Sequence, residues 1–231
     1  MNGIGKVYTT RIQKPHFSGL GVYDPNKVFT KPDENGKVYV DDVLSSICKA
    51  DEVPPKDYVV IGGKTYKIVT IGSQTWLAEN LEYLDDNIVL GNDDVSSTVA
   101  QANWFANNQS SSYGLLYNYT AVKYIEDNKS TICPGWHVPT ENELKVIADL
   151  GYTAVRDDSW TNYPGDNSSG FTLKAAGQFN GTFSNKGLST GLLSISTMGN
   201  LARRLNSVNL TNEISSTTKT VQLSLRLIKD S

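Results

Sequence analysis

The sequence predicts an α+β domain of short strands, two helices and long loops, on three observations. Of its 231 residues, 39% are hydrophobic and only 19% are charged. The polar fraction is therefore mostly Asn, Ser, Thr and Gly, which favour turns and strand surfaces over helix interiors. Thr140–Glu141–Asn142–Glu143 has the pattern of a capping box ahead of an apolar helical face. Near the end, Val221, Leu223, Leu225 and Leu227 alternate with Gln222, Ser224 and Arg226, the period of a strand with one buried face. The hydrophobic content is enough for a core. A net charge of −3 offers no electrostatic footprint for nucleic acid, and no apolar run reaches membrane-spanning length.

Residues 1–57 read as a separate arm. Val28–Lys31 and Lys37–Val40 flank Pro32–Asp33–Glu34–Asn35–Gly36, a hairpin signal because Asn–Gly tolerates positive φ. Asp41 or Asp42 can cap a short helix through Val43, Leu44 and Ile47, and Pro54–Pro55 marks a stiff boundary. The arm is short for an independent domain and is expected to attach or oligomerise.

The main domain spans residues 58–231. Val59–Ile61 and Lys64–Ile71 flank Gly62–Gly63 as a tight hairpin, and Gly72–Ser73 turns the chain into Gln74–Leu77. The polar stretch from about 85 to 112 reads as a long loop insertion anchored by Trp104 and Phe105. The capping box starts a helix with Leu144, Ile147 and Ala148 on one face, ending at Gly151. A second short helix is expected at Thr172–Ala176, followed by short strands and loops from about 177.

Four segments carry a family resemblance: Ile71–Leu81 with Gln74, Trp76, Glu79, Asn80 and Leu81; Tyr113–Asn118; Cys133–Thr140; and Leu223–Asp230. In this order they resemble the Fibrobacter succinogenes major paralogous domain, over roughly residues 58–231. The resemblance implies a C-type-lectin-like fold, a display scaffold suited to surface recognition. Two departures stand out. The Cys–Pro–Gly–Trp turn at Cys133 is one residue shorter than the family pattern. Leu227 occupies the place of a closing cysteine that, by the resemblance, would pair with Cys133.

The chemistry-bearing residues are few. Cys133 and His137 are four apart, but Pro134 and Pro139 exclude a regular helix that would bring them together, so His137 reads as a core histidine bonded to backbone. Cys48 and Cys133 read as free or buried thiols. Gly62–Gly63–Lys64–Thr65 imitates the end of a phosphate-binding loop, yet Tyr58 stands where the first glycine belongs. Calcium would need six to eight oxygens. Asp157, Asp158, Asp166 and Asn167 can supply some, but no lectin calcium signature is present, and no cofactor is expected.

The candidate ligand site joins two clusters. Trp160 and Tyr163, with Asp158 and Asn162 beside them, form either an exposed aromatic platform for a sugar ring or, if Trp160 folds down, an anchored loop. Arg203, Arg204 and Asn206, with Asn209 and Asn212, form the second polar cluster.

The start, Met1 to Tyr8, has no apolar signal core and no lipoprotein-type cysteine, so synthesis in the cytoplasm is expected unless a leader precedes it. The reading is thus a non-enzymatic phage virion surface component, such as a head-fibre, decoration or tail-fibre protein. It would be a homotrimer or homodimer, joined to virion structural proteins through residues 1–57, and would bind cell-surface or mucus glycans. The alternative is a bacterial surface adhesin or polysaccharide-binding protein whose leader has been removed.

Overall fold

Three consecutive strands, β1 (Tyr58–Ile61), β2 (Lys64–Ile71) and β3 (Gln74–Leu77), pair as antiparallel neighbours at the start of the described chain. The structure is a computed structural model that describes residues 57–91, 94–108 and 112–230. The hairpin, short helix and Pro54–Pro55 boundary expected of the N-terminal arm lie outside the described residues. Gly62 and Gly63 adopt φ of 56° and 80°. Two positive φ values match the twist of a two-residue hairpin, so these glycines make a turn and not a phosphate loop.

Beyond β3 come β4 (Val89–Leu90), β5 (Gln101–Trp104), a 3-10 turn at Phe105–Asn107, and β6 (Leu115–Tyr117). Helices α1 (Tyr119–Asp127) and α2 (Lys129–Ile132) follow, then β7 (Trp136–His137), α3 (Glu141–Asp149) and α4 (Gly151–Val155). A small hairpin, β8 (Gln178–Phe179) with β9 (Phe183–Ser184), precedes a long meander of β10 (Ser189–Met198), β11 (Leu201–Val208) and β12 (Thr211–Thr218). The chain closes with β13 (Leu223–Ser224) and β14 (Ile228–Lys229). The fold is mixed α+β, mostly strand with a few short helices. None of the described helices is long and apolar enough to cross a membrane.

Two main sheets organise the described residues. One has the order β1-β2-β3-β14-β7, the other β12-β11-β10-β13-β6-β5-β4. The C-terminal segment belongs to both, because β13 pairs with β10 and β6 while β14 pairs with β3 and β7. Here the sequence expectation is corrected. Residues 221 to 228 are buried on both faces, not one. Burial of the polar set is offset by bonding at each residue, Asn103 Nδ2 donating to Gln222 Oε1 and Asn80 Nδ2 to Ser224 Oγ, although Gln222 Nε2 itself is buried without a partner among the described residues. Arg226 is held by Asn80 Oδ1 and by the carbonyls of Phe171 and Thr172.

The core has two principal clusters. One gathers Tyr66, Leu77, Leu81, Val122, Ile125, Leu223, Leu225 and Leu227; the other packs Trp76, Leu144, Ile147, Trp160, Phe171, Leu192 and Leu205. Each such side chain contributes about 1.5–3 kcal/mol by leaving water. Cys133 and Leu227 share the first cluster, and Cys133 is a free, buried thiol. Where the resemblance implies a bridge, this chain thus has two side chains buried in one apolar cluster.

The capping box forms as read: Thr140 Oγ1 accepts from the Glu143 amide, and Glu143 accepts from the Thr140 amide at 2.7 Å. Three other expectations are overturned. The polar stretch 85–112 contains β5, whose Gln101 and Asn103 are buried in the sheet. Asn118 disguises this strand, because its side chain takes the Gln101 amide and donates to the carbonyls of Ser96 and Val99 while capping α1. No helix forms at 172–176. Thr172 has φ 58° and its amide is taken by Asn167, which a right-handed helix does not allow, and Leu173 bridges to Arg156 instead. Beyond residue 177 the strands of the meander are long, and α1 is a helix not expected from the sequence.

Candidate functional site

A cleft of about 300 Å³ opens where the loop after α4 meets the β11–β12 turn. It is lined by Asn162, Tyr163, Asn185, Leu188, Ser189, Val208 and Asn209. The lining comes from three chain segments, and each is fixed from below.

Arg156 is the main fixture. Its guanidinium is fully buried, with Nε and Nη2 donating to Ser207 Oγ at 3.0 and 2.9 Å. Nη1 donates to the carbonyls of Tyr163 at 3.1 Å and Asn209 at 2.6 Å, and Nη2 also reaches Thr211. One planar fork thus joins the loop carrying Tyr163 to the turn carrying Asn209. The guanidinium carbon stands 3.8 Å from the centroid of the Trp160 ring and 4.9 Å from that of Tyr152. Burial lowers the Arg156 pKa to about 10, still well above neutrality. The third segment is tied on by the Thr161 amide, which donates to the Gly187 carbonyl at 2.8 Å.

Backbone geometry at the cleft is unusual. Tyr163, Asn185 and Asn209 have φ of 54°, 63° and 49°. Asn adopts this left-handed region at small cost; a bulky aromatic seldom does. The Arg156 bond to its carbonyl helps hold Tyr163 in this conformation, and the residue is 48% exposed at the cleft. Such strain gathers at functional sites.

The sequence-predicted site residues are divided by the fold. Tyr163 and Asn162 line the cleft, joined there by Asn209. Trp160 does not form a platform: it is 3% exposed, and its Nε1 donates to the Leu173 carbonyl at 2.8 Å. Its ring gains more by packing between Arg156 and the core than by facing water. Asp158 is exposed and is not part of the cleft lining. Arg203 and Arg204, adjacent in a strand, point to opposite faces. Arg203 turns toward α3, donating to Glu141 Oε2 at 2.6 Å and to Ser216 Oγ at 2.8 Å. Arg204 and Asn206 lie on the other face of β11. The sequence reading missed Asn185 and Leu188; their signal was the Asn–Lys–Gly turn ahead of β10.

Three of the four residues weighed for calcium, Asp157, Asp166 and Asn167, are engaged locally. Asp157 accepts from the Ser159 amide and hydroxyl and pairs with Lys174 at 3.2 Å. Asp166 accepts the Ser168 amide, and Asn167 bonds Thr172. Among the described residues no three His, Cys, Asp or Glu side chains converge as metal ligands.

His137 is corrected as well. It does not bond backbone but bridges two carboxylates, Asp230 at 2.6 Å and Glu143 at 3.0 Å. Burial pushes the Cys133 thiol up to about 12, so it is protonated at neutral pH and is no activated nucleophile.

The sequence model of the Fibrobacter succinogenes major domain matches residues 69–229. Searches of curated proteins and of solved structures found no match.

Proposed function

The chain belongs to the Fibrobacter succinogenes major domain family, and from that premise we propose that it is a non-enzymatic recognition protein. Its scaffold, read as C-type-lectin-like, presents the Tyr163 cleft to cell-surface or mucus glycans. The observation that carries this reading is the composition of the cleft. An exposed tyrosine ring offers a face to the apolar side of a sugar, and the amides of Asn162, Asn185 and Asn209 can donate to and accept from vicinal hydroxyls. The setting proposed is a phage virion surface, with residues 1–57 as the attachment and oligomerisation arm. The buried, unpaired Cys133 thiol supports folding in a reducing compartment, as virion assembly in a host cytoplasm would require.

The test is a glycan array probed with the full chain and with Tyr163→Gly, both checked for folding by circular dichroism. Selective retention by the parent chain, lost in the variant, supports the reading. An array on which the parent binds nothing, or on which the variant binds equally, refutes it.

A further inference from the structure

We infer that the cleft is the end of a longer track along the partly exposed β11–β12 side of the sheet, and that the ligand carries a carboxylate which Arg204 receives; the inference rests on the proposed glycan reading. Ser207 faces Arg156, so its neighbours Val208 and, by alternation, Asn206 and Arg204 face the other way. Val208 lines the cleft. Asn206 and Arg204 continue from it in a row, and Arg204 stands about 13 Å from Val208 along the strand, at about 3.3 Å per residue. That span fits two to three units of an extended oligosaccharide.

The row is polar and partly exposed on its β12 side; on its β10 side the same face carries Gly191 and Leu193, which are buried. Opposite it on β12 stand Thr211, Glu213 and Ser215, in register with Val208, Asn206 and Arg204. All six residues are at least partly exposed.

Arg204 is distinctive among the four described arginines. Arg156, Arg203 and Arg226 each direct terminal nitrogens at carbonyls or hydroxyls. Arg204 uses Nε alone, toward Ser215 Oγ at 3.3 Å, and its two terminal nitrogens have no partner among the described residues. It is half-buried and makes no ion pair with Glu213, the nearest acidic group on that face. A half-buried guanidinium with a free fork is complementary to a carboxylate, which it can bind through two parallel hydrogen bonds. Glu213, opposite Asn206, disfavours an anion at the middle of the track and so confines it to the Arg204 end. Together these features select an acidic oligosaccharide, bearing a uronic or sialic acid two to three units from the residue held at Tyr163.

The experiment compares carboxylate-bearing oligosaccharides with their methyl-esterified, neutral counterparts, using the full chain, Arg204→Gln and Tyr163→Gly. The expected result is at least tenfold tighter binding of the acidic form by the parent chain. That preference should fall to parity in Arg204→Gln, whereas Tyr163→Gly loses both forms. Raising NaCl from 50 to 500 mM should weaken the parent's binding of the acidic form and leave the neutral form unchanged, a readout independent of how well the variant folds. Equal binding of both forms by the parent, or a preference that survives Arg204→Gln, overturns the inference while the cleft reading stands. Absence of binding to either form overturns both.

Discussion

Arg226 Nε donates to Asn80 Oδ1 at 2.9 Å, joining two residues 146 positions apart in the chain. The guanidinium is fully buried and has no acid in contact; it is held by the carbonyls of Leu77, Phe171 and Thr172 and lies 4.4 Å from the Phe171 ring centroid. Asn80 in turn donates to the Tyr113 carbonyl and to Ser224 Oγ. Three segments that carry the family resemblance, at Ile71–Leu81, Tyr113–Asn118 and Leu223–Asp230, therefore meet at one polar knot. Burial draws the Arg226 pKa down to about 9. The carbonyl cage opposes that loss of charge by bonding the protonated form.

Arg226→Met is expected to be among the most destabilising single changes. It leaves several buried carbonyls and Asn80 Oδ1 without donors, at about 1–3 kcal/mol for each group. Urea unfolding should show a loss of at least about 3 kcal/mol, with Arg226→Lys intermediate because one ammonium cannot span the cage. A loss below about 1 kcal/mol would show that the cage rearranges freely.

Tyr163→Gly should separate binding from stability. The left-handed φ of 54° costs a tyrosine about 1–2 kcal/mol, and glycine adopts it freely, while glycine's extra chain entropy costs about 0.5–1 kcal/mol. Thermal unfolding should therefore stay within about 1 kcal/mol of the parent chain. A larger drop would mean that the ring supports the fold and does not merely face the cleft.

Arg156→Lys should loosen the cleft. The lysine keeps a charge but cannot hold Ser207, Tyr163, Asn209 and Thr211 together, nor stack in the same way on Trp160. The expectation is a loss of about 2 kcal/mol. Hydrogen exchange should quicken at residues 161–167 and 208–211, but not in the distant β1–β2 hairpin. Uniform quickening across both regions would contradict a local role.

Glu143 gives a pH signature. Burial alone would raise its pKa, but hydrogen bonds from the Thr140 amide and hydroxyl and from His137 outweigh it and hold the group below its ordinary 4.5. A carboxyl depressed in the folded state contributes stability that is complete above its unfolded pKa. That contribution is lost as pH falls through the folded value. Stability measured from pH 6 down to pH 3 should fall more steeply in the parent chain than in Glu143→Gln. Parallel curves would place the acid sensitivity elsewhere, for example at Asp85, which the Tyr83 and Tyr124 hydroxyls also hold low against its burial.

Cys133 should resist alkylation. In a Cys48→Ser background, a maleimide reagent at pH 7.5 should leave the native chain unmodified and label it on unfolding, because the thiol is buried and its pKa is pushed up to about 12. Rapid labelling of the native state would contradict its place in the core.

Local chemistry was legible from the chain alone. The Gly62–Gly63 hairpin and the Thr140 capping box each depend on residues a few positions apart, so the sequence determined them, whereas the alternation from Val221 to Leu227 gave one buried face and the fold buries both. The family, too, was readable from four short segments. Tertiary structure decided what depends on distant partners. Polar β5 is a buried strand because β6 pairs with it and Asn118 takes the Gln101 amide, and Thr172 is held in a left-handed, non-helical conformation by Asn167 and Arg226. Trp160 points inward because Arg156 and the Leu173 carbonyl receive it. The cleft is the clearest case. Tyr163, Asn185 and Asn209 lie in three segments that one buried guanidinium and one loop-to-loop hydrogen bond bring together, and no local pattern encodes that meeting.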